Sequence, residues 1–325
     1  LCKIFRRFSM SVYTTLTLKE VQDFTAPYGL NVADLIPIQG GIQNTNYFIV
    51  CENGQQYVLT IFEEMDEQGA AELVPVLEHL AQHGLAVPVP LNYAGKAIHS
   101  LKDKPAQIAP RMMGEHPMPS TLAQAEAIAI AQAKIHVALQ DFPLERAEYR
   151  NHDYWLQVAK ELKPTLNPAD AILLSEVLGL YDALTAVYPN RPKGFIHSDL
   201  FRDNTLFNGN QLNGILDFYE LNKDEFLFDI AITLNDFCTE YPEVHLNEVK
   251  AQAFLTAYET VRPLTDDEKA CLEIYLAIAA ARFWLMRLQV AQKNTQQGRT
   301  GGDILQKNPQ EMRNMLIERL KFVTA

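Results

Sequence analysis

Gly194-Phe-Ile-His197-Ser-Asp199-Leu-Phe-Arg202-Asp-Asn204-Thr-Leu-Phe-Asn208-Gly-Asn210-Gln-Leu-Asn-Gly214-Ile-Leu-Asp217-Phe218 is the stretch on which the reading of this chain turns. Its short apolar pieces are separated by polar loops, and Asn208-Gly209-Asn210 has the composition of a hairpin turn, so a β-rich insertion is expected over Ile196 to Phe218. His197, Asp199 and Asn204 fall in the order H-x-D-x-x-x-x-N, and Asp217 ends the second strand of the hairpin. Asp199 can accept the proton of an attacking hydroxyl, and Asn204 and Asp217 offer hard oxygens to Mg²⁺ ions bridging a polyphosphate. His197 is expected beneath the loop, holding its backbone.

This is the spacing of a kinase catalytic loop, and its context of two short strands around a turn is the one that motif requires. The chain has eight His, and with Asp and Asn each near 5%, about 0.02 chance matches to the triplet are expected. The second Asp-Phe lowers that further.

Upstream, apolar runs at Leu35 to Ile38, Tyr47 to Val50 and Tyr57 to Phe62 are split by Gly40-Gly41 and Asn53-Gly54, which predicts strands joined by hairpins. Leu73, Val76, Leu77 and Leu80 have helical spacing within Gln68 to His83, a segment closed by Gly84. The proline-rich Val87 to Pro110 suits further strands ending in a connector at Ala109–Gly114. Downstream the pattern is mainly helical, with helices expected near Leu122–Ala138, Tyr154–Lys160, Ala169–Val187, Leu246–Val261, Asp266–Gln292 and Gln310–Phe322. An α+β chain of two lobes follows: a small β-rich N-terminal lobe over residues 10–110 that holds nucleotide, and a larger, mainly helical C-terminal lobe over 111–325 that carries catalysis and substrate. Residues 1–9 are expected to be a disordered upstream extension, with Met10 the natural start.

A chain of 325 residues with 48% hydrophobic content can bury two cores. Its net charge of −12 disfavours a nucleic-acid or anionic-membrane surface. Cysteines at 2, 51, 238 and 271 have no metal-ligand spacing and fit reduced thiols in the cytoplasm. The longest apolar stretch, near Ile274 to Ala281, is far short of the ~20 residues of a membrane span. A monomer or homodimer is expected.

Other residues carry weaker signals. Gly40, Gly41, Asn44 and Asn46 lie between the first two strands, where backbone N–H groups and small polar side chains could cover phosphates, although a Gly-Gly pair also makes a plain hairpin turn. Kinases usually place a lysine on the following strand, and here that strand carries Thr60. Glu72 could serve on the metal side or face solvent. Asp229 reads as a helix cap or as a brace for the catalytic loop. Asp236 and Arg282 are either ion-paired buried charges or acceptor contacts.

The segments Gly40–Tyr47, Tyr57–Glu63, His197–Asn204, Gly214–Tyr219, Asp229–Cys238 and Arg282-Phe-Trp-Leu-Met-Arg-Leu288 resemble the aminoglycoside phosphotransferase and choline kinase superfamily and, within it, the bacterial homoserine kinase family of the threonine pathway. The resemblance spans nearly all of residues 10–322, and threonine in place of the strand lysine is part of it. Arg202 departs from it, standing where that family has proline. The resemblance implies a protein-kinase-like fold, ATP and Mg²⁺ as nucleotide and metal, and phosphoryl transfer to the hydroxyl of L-homoserine in the cytoplasm. The residues alone reach only a hydroxyl acceptor, leaving choline, methylthioribose, an aminoglycoside or a nucleotide-binding pseudokinase as alternatives. A zwitterionic acceptor needs an acid for its ammonium and a base for its carboxylate, for which Asp236 and Arg282 are the candidates.

Overall fold

The computed structural model describes residues 14–38, 44–144, 146, 150–296 and 307–323. The chain divides into two compact units: among the described residues, 14–78, 88–112 and 293–296 form the first, and 79–87, 113–292 and 307–323 the second.

The first unit opens with α1 (Leu18–Thr25), started by a capping box in which the Thr17 hydroxyl accepts from the Glu20 N–H and the Glu20 carboxylate accepts from the Thr17 N–H. Three strands follow, β1 (Val32–Pro37), β2 (Asn44–Cys51) and β3 (Gln56–Phe62). After α2 (Glu67–Ala71) and α3 (Val74–Gln82), β4 (His99–Leu101) and β5 (Lys104–Pro110) complete a five-stranded antiparallel sheet in the order β1-β2-β3-β5-β4. Alternation on β2 buries Tyr47, Ile49 and Cys51 together with Leu59 and Ile61 of β3 and Ala106 and Ile108 of β5. The single helix expected over Gln68 to His83 is two helices. Pro75 sits in the first turn of α3, where its missing N–H is harmless, and the same ring would clash inside a continuous helix.

The second unit contains α4 (Leu122–Ala138), α5 (His152–Leu162), α6 (Pro168–Val187), β6 (Lys193–Ile196), β7 (Thr205–Asn208), β8 (Gln211–Ile215), β9 (Asn222–Glu225) and α7 (Phe226–Phe237). A two-residue ladder, β10 (Thr239–Glu240) with β11 (His245–Leu246), precedes α8 (Glu248–Glu259), α9 (Asp266–Gln296) and α10 (Pro309–Leu320). β7 and β8 form the expected hairpin, and β6 pairs antiparallel with β9. A Cβ at Gly194 of β6 would meet the Phe226 ring at 2.4 Å, so only glycine lets β6 lie against the start of α7.

All 12 residues of α7 are buried, including Asp229, Thr233, Asn235 and Asp236. The end of α7 is tied to α10 by Arg319, which is fully buried. Its Nε donates to Asn235 Oδ1 at 2.8 Å, Nη1 to the Val244 carbonyl at 3.0 Å and Nη2 to Thr239 Oγ1 at 2.6 Å. Burial pushes its pKa down to about 10, so the guanidinium stays charged at neutral pH on neutral oxygens alone. No helix among the described residues is long and apolar enough to cross a membrane.

Candidate active site

The loop between β6 and β7 is built around a carboxylate that does not belong to it. Asp229, in the first turn of α7, is completely buried and accepts from the Ser198 N–H at 2.8 Å through Oδ1 and from the His197 N–H at 3.4 Å through Oδ2. Oδ2 also takes bonds from His136 Nε2 and Gln132 Nε2 of α4, both at 2.9 Å. The N-cap of α7 is Glu225, so Asp229 braces the loop and does not cap the helix. Burial by itself would raise its pKa, and the His136 and Gln132 hydrogen bonds overcome that and hold it below the usual carboxylate range. With Asp229 anchored, Ser198 takes φ +68°, the left-handed turn that swings the chain toward Asp199.

His197 is likewise fully buried, and its pKa is lowered by desolvation. Nδ1 accepts from the Asp199 N–H at 3.3 Å, which fixes the tautomer with hydrogen on Nε2, donated to the Leu216 carbonyl at 2.8 Å. One neutral ring thus links the loop to the strand end that carries Asp217. Asn204 donates Nδ2 to the Asp199 carbonyl at 2.8 Å and to Asp199 Oδ2 at 3.0 Å. Its own Oδ1 is left as the amide's remaining polar atom.

Asp217 stands in the left-handed region at φ +62°, with Oδ1 buried and without a hydrogen-bond partner among the described residues. Burial, followed by Glu220 and Asp203, pushes its pKa up to about 7. Burial and then the neighbouring Asp217 raise Asp199 well above the usual value. Two carboxylates held near one another with few donors make a site that favours a cation, and the orphaned Asp217 oxygen with the Asn204 amide oxygen is a hard-donor pair suited to Mg²⁺. Among the described residues no group of three His, Cys, Asp or Glu could hold a metal alone, so any ion here depends on phosphate and water oxygens as well.

Beside the loop the second unit has a cavity of about 270 Å³ lined by Phe201, Tyr241 and three ion pairs. Arg202 Nε meets Asp236 Oδ2 at 2.9 Å, Lys307 Nζ meets Asp203 Oδ2 at 2.7 Å, and Arg287 Nη1 meets Glu311 Oε1 at 2.9 Å. Asp236 therefore lines a pocket but is already neutralised. The Arg202 N–H also donates to it at 2.7 Å, a bond that proline at this position could not make.

Arg282 lies away from that cavity. Its Nη1 meets Asp224 Oδ2 at 3.1 Å, its Nη2 meets His152 Nδ1 at 3.1 Å, and its guanidinium carbon stands 3.7 Å from the centre of the Phe228 ring. It braces α5, β9 and α7 rather than joining Asp236. Sequence reasoning passed over Arg287 in the same Arg282–Leu288 segment, although two arginines five positions apart on one helix face different neighbours.

In the first unit, Gly40 and Gly41 lie outside the described residues. Asn44 is buried on β2, and Asn46 Oδ1 accepts from Thr60 Oγ1 at 2.8 Å across the ladder. Thr60 thus spends its hydroxyl on a neighbouring strand. This unit also has a lysine–glutamate pair, but on β5: Lys104 pairs with Glu63, whose Oε1 accepts from Thr45 Oγ1 at 2.6 Å. Glu72 is the last residue of α2's turn and is bonded to Gln68 at 3.2 Å.

The chain belongs to the phosphotransferase enzyme family, whose model matches residues 34–264. Its relatives narrow the comparison to one activity. The homoserine kinase of Methylobacillus flagellatus is 37% identical over 286 residues, covering 86% of this chain and 87% of that one. That of Janthinobacterium is 35% identical over 283 residues, 86% of this chain and 88% of the relative. Among solved structures, an amicoumacin kinase in complex with AMP-PNP, Ca²⁺ and Ami superposes with a TM-score of 0.68 at 17% identity, over 94% of this chain and 93% of that one. A microcompartment-associated aminopropanol kinase gives 0.66 at 15% identity, over 92% and 94%. At those identities the likeness speaks for the fold.

Two outcomes follow from this geometry. Burial keeps His136 neutral in the native protein, while in the unfolded chain a histidine takes up a proton below about pH 6.5. The contribution of His136 is then present above that pH and lost as pH falls, at on the order of 1 kcal/mol per unit. In urea titrations at pH 7.5 and 5, the deficit of His136→Gln relative to wild type should shrink on acidification. The raised carboxylates Asp199 and Asp217, which shift stability the other way, cancel in that difference. Second, Arg282→Ala leaves Asp224 unpaired and should cost about 3–5 kcal/mol of stability. The folded fraction should keep its KM for the acceptor, as read by steady-state kinetics beside a thermal melt.

Proposed function

We propose that this chain is a homoserine kinase, transferring the γ-phosphoryl group of ATP to the side-chain hydroxyl of L-homoserine to give O-phospho-L-homoserine and ADP. The observation that carries the chemistry is the fixed pair Asp199–Asn204, at 3.0 Å, together with a neighbouring Asp217 whose Oδ1 has no partner among the described residues. The acceptor is supported by 37% identity to a homoserine kinase over 86% of this chain. The threonine pathway and the cytoplasm belong to the same reading, and the free thiols of Cys51, Cys238 and Cys271 suit a reducing compartment.

Asp199 is the proton acceptor. Asn204 occupies its Oδ2, which leaves Oδ1 to take the hydrogen of the acceptor hydroxyl as that oxygen bonds to the γ-phosphorus and the bond to ADP breaks. Asn204 and Asp217 would hold Mg²⁺, which neutralises phosphate charge when bound. His197 positions both sides of the site by joining the Asp199 N–H to the Leu216 carbonyl. Gly40, Gly41, Asn44 and Asn46 complete the proposal as the phosphate-covering turn and the strand that follows it.

Asp199→Asn should preserve the melt and nucleotide binding while lowering kcat roughly 10²–10⁴-fold, the range for a lost general base. ADP release with L-homoserine, choline, methylthioribose and an aminoglycoside reads both the activity and its acceptor. No ADP with any alcohol would sink the enzyme reading, and faster turnover of another alcohol would sink only homoserine. Asp217→Ala should abolish Mg²⁺-dependent ATP binding in calorimetry, because an acidic protein of net charge −12 has little else to hold a polyphosphate. Tight Mg·ATP binding by that variant would remove Asp217 from the metal site.

A further inference from the structure

We infer that Arg287, which lines the cavity beside the catalytic loop, is the residue that reads the acceptor's carboxylate. The inference rests on the acceptor being an amino acid, as proposed above, and names the group that would select it.

Arg287 lies on α9, lines the cavity of about 270 Å³ and is only 7% exposed. Its Nη1 is engaged with both the Asn308 carbonyl at 2.8 Å and Glu311 Oε1 at 2.9 Å. Those two bonds orient the planar fork. Nε is buried and has no hydrogen-bond partner among the described residues. A buried guanidinium donor costs free energy when left unmade, on the order of 1–3 kcal/mol; Arg282 Nε is orphaned as well, but of the two arginines only Arg287 lines the cavity, where a ligand could supply an acceptor. The side-on edge of arginine presents two parallel N–H groups that match the two oxygens of a carboxylate.

The other two cations of the cavity are less free to do this. Arg202 donates both Nε and Nη2 to Asp236, at 2.9 and 3.2 Å, which uses its side-on edge. Lys307 is a point charge on Asp203 and offers no fork. Arg202 and Asp203 belong to the same loop as Asp199, so a carboxylate bound at Arg287 is held in a cavity that shares its wall with the catalytic loop. A short chain bearing a carboxylate at one end and a hydroxyl at the other fits that arrangement.

The test compares three acceptors. L-Homoserine has hydroxyl, ammonium and carboxylate; 3-aminopropan-1-ol lacks the carboxylate; 4-hydroxybutanoate lacks the ammonium. Arg287→Met should lower kcat/KM roughly a hundredfold or more for homoserine and for 4-hydroxybutanoate, mainly through KM, and leave 3-aminopropan-1-ol within a few-fold of wild type. Arg287→Lys, which keeps the charge toward Glu311 but loses the fork, should fall between and carries the test if the methionine variant does not fold. Equal losses on all three acceptors, or a lysine variant that keeps the full homoserine preference, would overturn the assignment and leave Arg287 a structural brace. Failure of the wild type to phosphorylate homoserine while turning over another alcohol is the separate failure of the proposed acceptor.

Discussion

A single buried carboxylate organises the second unit. Asp229 is a fully buried anion, and it exists in that state because four donors converge on it: two backbone N–H groups of the loop, one imidazole and one side-chain amide. Each donor is also a constraint. Satisfying Asp229 fixes where the loop begins, which turn Ser198 takes, and how α4 and α7 lie against each other. His136 extends the set by accepting from Tyr258 of α8 at 2.7 Å through Nδ1, as its neutral tautomer requires. The loop is therefore specified by a hydrogen-bond network in the core rather than by its own residues, and such networks are sensitive because every member depends on the others.

The reactive end of the loop is arranged on the opposite principle. Asp199 and Asp217 have fewer donors than Asp229, and burial first, then neighbouring carboxylates, raises their pKa values. Neighbouring acids thus differ: Asp229 is saturated with donors, while Asp217 keeps an oxygen that has none among the described residues. Arg287 belongs with the second kind. Its buried Nε, like the Asp217 oxygen, has no hydrogen-bond partner among the described residues.

Much of this was legible in the sequence because the relevant signals are local. The catalytic spacing, the β7–β8 hairpin and the helix Leu122–Ala138 all depend on residues close together in the chain, and the structure has them where the pattern put them. What was not legible depends on partners far apart. α7 carries Asp229, Thr233 and Asp236 at helical spacing, but that polar stripe is buried like the rest of the helix, so the spacing does not separate an inner from an outer face. The break between α2 and α3 was available in Pro75 but was masked by regularly spaced leucines. Whether Asp236 is a free acid or half of an ion pair is decided by Arg202, 34 positions earlier. The choice between Arg282 and Arg287 is decided by Asp224 and Glu311, one on each side of α9 in the chain.

The buried Arg319 has a consequence for the order in which the protein can be made. It clamps α10 to Asn235, next to Asp236, and α10 and the residue before its cap bring Glu311, Asn308 and Lys307 to the cavity. A ribosome delivers Asp199, Asn204 and Asp217 about a hundred residues before it delivers these groups. Asp229 and the loop it braces can leave the ribosome while the α10 side of the cavity is still inside the exit tunnel. The latch on that side of the cavity is a charge whose burial waits for a residue made 84 positions after Asn235 and 80 after Thr239, the groups it binds.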